Sequence, residues 1–505
     1  MSHSLSTSAQ RFHKQWLQAS PRSSSLILII IALICLPFAS LEIFTISPEV
    51  ELARIATGLI TPTLESPQVV IDALLTTLAF AIQGVSLALV FGIILAIFHH
   101  YALVSAFCAF IRAIHELFWA LLLLQLFGLN SITGILALAI PFAGVFAKVF
   151  SEILDEVDPA ADQAVPINTS TLSRLLYIRV PLAWGEIKTY TSYRFECAVR
   201  SSAVLGFIGL PTIGFHLESF FKQGDYSQAS GLLYVLFLLI ASLKYWFKLK
   251  FIPLLLIASV IYLPWQHSGN WQNFVAFFTH DLVPAPFKHS HIELLPWLNA
   301  LLTDQAVPGV INTFVLAQLS LVATALLALF WFPFVSKHFL KRKSRILANV
   351  FLIIMRSIPE YLLAFVALLV LGPSMLPGII ALALHNGAIV AHLTGNHCSQ
   401  LTIYLDRATG INRYFYEVLP RTYRQFMAFL LYRWEVIFRE TAILGILGIP
   451  TLGFYIDSAF EEIRFDRAII LIVITALLNI LIDRFARWLR QRLHSDSSVK
   501  MASKR

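Results

Sequence analysis

The sequence predicts an all-α protein that crosses a membrane many times and is built from two tandem repeats. Of its 505 residues, 58% are hydrophobic and 13% are charged, whereas soluble domains carry about 25% charged residues. Apolar runs of roughly 20 residues, the length that a helix needs to cross a bilayer, recur along the chain. A stretch of 23 residues also recurs later in the chain with 12 positions identical. These three observations indicate a polytopic membrane protein.

Charge and cysteine content exclude other classes. The net charge is +8, but no basic stripe interleaved with aromatic residues suggests a nucleic-acid partner. The cysteines show no metal-ligand spacing and lie in or beside apolar segments, so we expect small packing residues rather than disulfides. The first apolar run, 26–44, is too long for a signal peptide and has no cleavage site, which predicts a retained first helix.

Hydropathy predicts about twelve membrane spans, about six in each half of the chain. The predicted spans of the first half are 26–45, 71–98, 103–127, 131–151, 183–205 and 230–247. Those of the second half are 251–266, 309–334, 346–371, 375–395, 426–446 and 468–486. Lys and Arg gather in alternate loops, as in the cluster at 337–345 and in the tail after Arg484. The positive-inside rule therefore predicts that both termini are cytoplasmic.

The repeat defines two halves of common origin. YRFECAVRSSAVLGFIGLPTIGF (193–215) and YRWEVIFRETAILGILGIPTLGF (432–454) are identical at 12 of 23 positions, at an offset of 239. An earlier stretch, 112–139, aligns with 356–383 at an offset of 244. With an even number of spans, the two copies run parallel, and we expect each copy to supply half the wall of a central pathway.

Charged residues recur in both copies at a spacing of four, which would place each pair on one helix face. Ionisable groups at membrane depth are costly and usually functional. They predict a polar pathway; the alternative is ion pairs that hold each half together or lie at the cytoplasmic interface. The predicted pathway residues are Arg112, Glu116, Arg194, Glu196 and Arg200 in the first copy, and Arg356, Glu360, Arg433, Glu435 and Arg439 in the second.

A run of glycines and a proline follows the charged residues in each copy. Such a run cannot form a uniform helix, and broken backbone at membrane depth is tolerated only where it lines a cavity or is buried in protein. The run predicts a bend at the outer end of a pathway helix, and so a gate; the alternative is a tight extracellular turn. The predicted gate residues are Gly206, Gly209, Pro211, Gly214, Gly445, Gly448, Pro450 and Gly453.

The polar segment 155–181 has the spacing of the EAA loop of binding-protein-dependent importer permeases. The residues that match this pattern are Asp162, Gln163, Ala164, Asn168, Ile178 and Pro181. The second copy, near 400–420, offers Arg407, Ala408, Thr409, Gly410, Leu419 and Pro420, with Gly410 ten residues from the proline instead of thirteen. We expect a shortened second loop, and expect changes at Asp162 or Asn168 to uncouple transport more than changes at Arg407 or Thr409.

Together these motifs resemble the permease subunit of phosphonate-type ABC importers over about 70–250 and 305–490. The resemblance implies the type I importer permease (MetI-like) architecture in a fused, duplicated form, with halves at 1–250 and 251–505 and a periplasmic segment near 267–306. It also implies a bacterial inner membrane location, two cytoplasmic ATPase subunits and a periplasmic binding protein that delivers a phosphonate, phosphite or phosphate ester. The chain itself has no GxxxxGK[ST] phosphate loop, so ATP would be used by the partners and no cofactor is expected here.

Two other functions are compatible with parts of the sequence. A stand-alone secondary transporter with two parallel six-helix halves would use the charged pairs for proton coupling, but would give the EAA-like loop no purpose. A membrane enzyme would need a catalytic cluster. His385 and His392 are seven residues apart, but no HExxH motif accompanies them. We therefore expect neither an enzyme nor a metal site.

Overall fold

The computed structural model describes residues 21–64, 66–158, 160, 166, 169–264, 271–288, 290–402 and 410–502, and these residues contain helices and no strands. The prediction of an all-α membrane protein is confirmed. In this part of the chain, six helices are long and apolar enough to cross a membrane, or up to nine if each of three bent helix pairs is one crossing. Each of the twelve predicted spans overlaps a helix, although some apolar runs form shorter or bent helices, so the number of crossings stays a prediction.

The helices of the first half are α1 (Pro21–Cys35), α2 (Pro48–Ile60), α3 (Pro67–Ile97), α4 (Ala102–Ala113), α5 (Glu116–Phe127), α6 (Ser131–Asp155), α7 (Val180–Val204), α8 (Ile213–Gln223), α9 (Tyr226–Trp246) and α10 (Ile252–Tyr262). Short turns of helix extend some of them: Leu36–Phe38, Thr171–Arg174, Leu175–Arg179, Leu205–Ile208 and Leu249–Phe251. The predicted spans 26–45 and 251–266 thus correspond to helices of 15 and 11 residues.

The second half repeats this order with α11 (Val307–Val335), α12 (Arg342–Ser357), α13 (Glu360–Leu371), α14 (Met375–Gln400), α15 (Leu419–Ile446), α16 (Leu452–Glu461) and α17 (Phe465–Ala502). Short helical segments precede α11 at Trp271–Ala276, Phe277–Asp281, Ala285–Lys288, Leu294–Leu301 and Leu302–Ala306, and precede α15 at Gly410–Asn412 and Arg413–Val418. The predicted spans 103–127 and 346–371 are each two helices joined at a sharp bend, which the sequence did not predict.

Proline explains the wide π-helical turns at the start of α7 and α15. Leu175–Arg179 and Arg413–Val418 are π-helical, and each ends two residues before a proline, Pro181 and Pro420. Proline has no N–H to donate to the preceding turn and its ring crowds that turn's carbonyl. A wide turn relieves the crowding without ending the helix. Both helices therefore continue without a break from Thr171 to Val204 and from Gly410 to Ile446.

The contacts divide the chain into two units that do not follow the boundary at 250. One unit comprises residues up to Pro48, Leu295–Ser458 and those from Leu478 onward; the other comprises Glu49–Leu294 and Ala459–Leu477. In the first of these units α1 packs on α11, and Gln318 Nε2 donates to the carbonyl of Leu28 at 2.8 Å. In the other unit α10 packs on α3, and Tyr262 donates to the carbonyl of Asp72 at 3.2 Å.

Each unit is held by close packing of its long helices. In one unit α3 and α6 pack face to face, with Gly84 against Leu138 and Gly92 against Phe146. Small residues allow such close approach, which is the main source of helix association in a membrane. In the other unit α11, α14 and α15 enclose a core that contains Phe332, Leu382, Phe426, Trp434 and Phe438. These two cores position the polar groups described below.

Candidate functional site

Each repeat contains a pair of short helices joined at nearly a right angle. The angle is 90° between α4 and α5 and 88° between α12 and α13. In the second repeat Ile358 and Pro359 are extended, because proline disfavours helix at the residue before it. In the first repeat His115 stands at the equivalent position, and its Nδ1 accepts a hydrogen bond from the N–H of Leu117 at 3.2 Å. Different residues thus produce the same bend.

The bend in the first repeat creates a small polar cluster, which we call the first bend cluster: His115, Glu116 and Ser201. Glu116 is the first residue of α5, where the helix dipole favours a carboxylate. Ser201 of α7 donates its hydroxyl to Glu116 Oε1 at 2.6 Å, and His115 Nε2 lies 3.6 Å from Glu116 Oε2. The cluster therefore connects the bend to α7.

The bend in the second repeat creates a larger polar cluster. We call it the second bend cluster, and it consists of Glu360, His385, Asn386 and Glu440. Glu360 begins α13, and its Oε2 lies 3.8 Å from His385 Nε2 of α14. Asn386 donates its side-chain N–H to Glu440 Oε2 of α15 at 2.9 Å. Glu440 is only 7% exposed and His385 only 3%. Three helices thus bring two carboxylates and an imidazole together in a buried place.

The glycine run of the first repeat forms a break with very close backbone packing. α7 ends in the 3₁₀ turn Leu205–Ile208, Gly209 has a φ of +93°, and α8 then leaves at 54°. A Cβ on Gly206 would collide with the backbone of Gly214 and Phe215. The N–H of Ile213, at the start of α8, donates to Thr77 Oγ1 of α3 at 3.0 Å. The break is a built turn and not a frayed helix end.

The second repeat reproduces this break in detail. Gly448 has a φ of +90°, and a Cβ on Gly445 would collide with the backbone of Gly453 and Phe454. The N–H of Leu452, at the start of α16, donates to Thr313 Oγ1 of α11 at 3.0 Å. The predicted bend is present in both copies; whether it acts as a gate stays a prediction.

We expect Thr313→Val to destabilise the protein, since valine keeps the shape but leaves the buried N–H of Leu452 without its acceptor. An orphaned buried donor costs about 1–3 kcal/mol. Thr77→Val should do the same through Ile213. The control is Thr191→Val in α7, whose hydroxyl bonds only a carbonyl of its own helix, Ile187 O at 2.8 Å. Thermal unfolding in detergent measures the difference, and equal unfolding temperatures for all three variants would contradict this role.

At the opposite end of α7 and α15, apolar side chains stand exposed at corresponding positions. The first docking patch is Leu172, Leu176 and Tyr177, which are 57%, 49% and 81% exposed. The second docking patch is Ile411, Phe415 and Tyr416, which are 75%, 55% and 82% exposed. The offset is 239 throughout, as in the repeated motif (411 − 172, 415 − 176 and 416 − 177). The exposed apolar side chains therefore recur at equivalent positions of the two copies.

Polar residues next to these patches fix the start of each helix. In the first copy Arg174 Nη2 donates to the carbonyl of Pro166 at 3.2 Å. In the second, Arg413 Nη1 donates to the carbonyl of His338 at 3.2 Å, and Tyr414 donates to the carbonyl of Leu329 at 3.0 Å. Desolvation lowers the pKa of His338, with Lys337 as a further cause, so this imidazole is neutral at pH 7. The second patch is thus firmly anchored.

The structure places some predicted site residues differently from the sequence interpretation. Arg112 and Glu116 do not share a helix face, because the 90° bend separates them; the same holds for Arg356 and Glu360. The other pathway residues lie on the predicted helices: Arg194, Glu196 and Arg200 in α7, and Arg433, Glu435 and Arg439 in α15.

The predicted coupling residues divide into two groups. Outside the described residues lie Asp162, Gln163, Ala164, Asn168, Arg407, Ala408 and Thr409. In helix, and not in a loop, lie Ile178, Pro181, Gly410, Leu419 and Pro420. The helix continues through this second group because π-helical turns accommodate the prolines, and the role of these residues in coupling stays a prediction. That the second coupling loop is shorter than the first stays a prediction.

The sequence interpretation missed the residues that complete the bend clusters. Ser201 and Glu440 occupy the same position of the repeated motif (440 − 239 = 201). His385 and Asn386 align with Pro141 and Phe142 at the earlier offset (385 − 244 = 141). A comparison of the two copies could have identified these residues. His385, Asn386 and Glu440 of the second copy are more polar than their counterparts in the first copy, and all three belong to the second bend cluster.

Part of the chain matches a family model, and one known permease matches most of its length. Residues 332–495 match the family model for the binding-protein-dependent transport system inner membrane component. The chain is 26% identical to the phosphate-import permease protein PhnE of Mycolicibacterium smegmatis over 482 residues. This alignment covers 86% of this chain and 88% of PhnE. No solved structure gives a significant match.

Shorter relatives match part of the chain. The phosphite transport system permease protein PtxC of Stutzerimonas stutzeri is 30% identical over 151 residues, 28% of this chain and 54% of PtxC. The putative cryptic phosphonate transport system permease protein PhnE2 of Escherichia coli is 28% identical over 112 residues, 22% of this chain and 92% of PhnE2. These relatives are permeases, which confirms the prediction of a transport subunit rather than an enzyme. The chain is thus similar to inner membrane components of binding-protein-dependent transport systems, and the match to the family model itself lies in residues 332–495.

Proposed function

We propose that this chain is the membrane permease of an ATP-driven importer for a phosphorus oxyanion such as phosphate, phosphite or a phosphonate. The observation that carries the proposal is the duplicated helix of α7 and α15, with an exposed apolar patch at one end and a glycine break at the other. A motor that pushes on the patch would move the helix as one body, and the break would take up the movement. The permeases named for phosphate and phosphite import support the substrate class.

The motor is proposed to be a pair of separate ATPase subunits. The chain has no phosphate-binding loop of its own, so active transport requires one from outside. Tyr177 and Tyr416 are large, exposed aromatic residues at the start of a rigid helix, and tyrosine is enriched among the residues that dominate binding energy at interfaces. Two patches at the same offset fit two copies of one partner.

The opposite end, with the glycine breaks, is proposed to face the periplasm, where a binding protein would deliver the anion. Lys and Arg clusters such as 341–345 support a cytoplasmic location for the other side and for both termini. Partly buried arginines near the bends and on α7 and α15 would attract an anion: Arg112, Arg200, Arg356 and Arg439. Glutamates in the bend clusters reduce this attraction, so selectivity is proposed to come mainly from the binding protein.

The first experiment is to purify the chain in mild detergent and identify its co-purifying subunits by native mass spectrometry. One chain with two ATPase copies is the expected ratio. The complex is then reconstituted in proteoliposomes with the binding protein, and uptake of radiolabelled phosphate, phosphite and methylphosphonate is measured with and without internal ATP. Accumulation by the isolated chain driven by a proton gradient would refute the proposal and indicate a secondary transporter.

A further inference from the structure

The second bend cluster holds three side chains of the types that bind transition metals. Glu360, His385 and Glu440 come from α13, α14 and α15, and one potential ligand atom from each lies within 4.8 Å of the others. Glu360 Oε2 and His385 Nε2 are 3.8 Å apart. His385 and Glu440 are almost completely buried. Because these residues are distant in sequence, their spacing gives no local motif that would predict a metal site.

The hydrogen bonds of His385 indicate that its Nε2 acts as an acceptor inside the cluster. His385 Nδ1 lies 2.9 Å from the carbonyl of Ile358, which can only accept, so Nδ1 carries the proton. In the neutral imidazole, Nε2 then offers a lone pair, and it faces the carboxylate of Glu360. The centre of the cluster thus presents carboxylate oxygens and an imidazole lone pair, which are the ligand types that bind a divalent transition metal, while Arg433 and Arg439 also act electrostatically on Glu440.

A second observation comes from Asn386, which is fully buried beside the three groups. Its side-chain nitrogen donates to Glu440 Oε2 at 2.9 Å and to the carbonyl of Leu382 at 3.1 Å. Its Oδ1 has no hydrogen-bond partner among the described residues. An amide oxygen is a good ligand for a hard or borderline cation, and an orphaned buried acceptor is costly.

We propose that Glu360, His385 and Glu440 bind a divalent transition-metal ion of the Zn²⁺ type. Zinc takes imidazole nitrogen and carboxylate oxygen at about 2.0–2.2 Å, which puts neighbouring ligands of a tetrahedral site about 3.4 Å apart. The separations of 3.8 to 4.8 Å need only small side-chain rotations to reach it. Two carboxylates neutralise the ion, which favours binding away from water. Bound metal would join α13, α14 and α15. This metal site would exist whether or not the chain is an importer permease.

The first bend cluster provides a control within the same chain. It has the same bend and the equivalent glutamate, Glu116, with a histidine at 3.6 Å. Ser201 stands where the second copy has Glu440, so the second carboxylate is replaced by a hydroxyl. Pro141 and Phe142 stand where the second copy has His385 and Asn386. Changes at Glu116 or Ser201 should therefore leave metal binding intact.

The test uses the full chain, purified with a histidine-free tag, stripped with chelator and equilibrated with ZnCl₂. Elemental mass spectrometry should find one Zn²⁺ per wild-type chain. Glu440→Gln and His385→Ala should weaken binding more than tenfold, and Asn386→Ala about tenfold or more, as for groups that orient a ligand. Glu116→Gln and Ser201→Ala should retain one ion. Co²⁺ in place of Zn²⁺ should give a visible ligand-field band that Glu440→Gln abolishes.

A second measurement needs no substitution, in case a variant does not fold. Chelator should lower the apparent unfolding temperature of the wild-type chain, and added ZnCl₂ should restore it. No stoichiometric Zn²⁺ in the wild-type chain, with no effect of chelator, would overturn the proposal and leave shared protons as the compensating charge. Equal retention by wild type, Glu440→Gln and His385→Ala would overturn it as well.

Discussion

Gly206→Ala is expected to destabilise the protein by about 3 kcal/mol, the upper range for inserting one methyl group into packed structure. The new Cβ would meet backbone atoms of Gly214 and Phe215, which cannot move aside as a flexible side chain can. The turn from α7 into α8 would have to open. The expected result is a lower apparent unfolding temperature in detergent, together with a loss of transport, since the break could no longer close. Gly445→Ala should behave in the same way in the second copy.

Gly185→Ala is the matched control, because Gly185 lies on the same helix and a Cβ there meets nothing within 4 Å. Alanine is favoured over glycine in a helix by up to about 1 kcal/mol, so this change should leave the stability unchanged or raise it. The two substitutions are chemically identical and differ only in surroundings. If both variants unfolded at the wild-type temperature, the backbone at Gly206 would not lie as close to Gly214 and Phe215 as the structure shows.

Replacing Tyr177 and Tyr416 together by alanine is expected to almost abolish ATP-driven uptake, provided that the two docking patches bind the ATPase subunits. Truncation of an interface tyrosine that dominates binding costs about 2 kcal/mol, or roughly 30-fold in affinity. The side chains are 81% and 82% exposed, so the chain itself should keep its stability. Each single variant should lose ATPase binding to the same extent, because the patches occupy equivalent positions.

The measurement compares ATPase co-purification and ATP-driven uptake with the apparent unfolding temperature. Trp271→Ala is the control, as Trp271 is also an exposed aromatic residue, 72% exposed, but lies outside both patches. Full ATPase binding by the double variant would show that the patches are not the docking surface. A much larger defect from Tyr177→Ala than from Tyr416→Ala would instead support unequal coupling by the two copies.

The sequence predicted the helical class and the duplication because both depend on local composition and on direct comparison of the copies. The bends were less visible. Pro359 marks one of them, but His115 in the other copy carries no such signal, and the apolar run 103–127 reads as one span. The glycine break was visible in both copies as a bend, since glycine and proline act on the backbone directly.

The second bend cluster could not be predicted from spacing. Glu360, His385 and Glu440 meet only because α13, α14 and α15 pack around a common core, and no local pattern records that packing. The comparison of the copies did contain a usable sign. Glu440 stands where the first copy has Ser201, and an additional carboxylate at a buried membrane position is expected to have a compensating group nearby.

The packing of α1 on α11 has a consequence for synthesis. Gln318 donates to the carbonyl of Leu28, a residue made 290 positions earlier. The contact between α1 and α11 can therefore form only after α2 to α10 have been synthesised. A gene cut between the repeats at 250 would put Leu28 and Gln318 on separate polypeptides. Such halves should accumulate only when both are produced in the same cell.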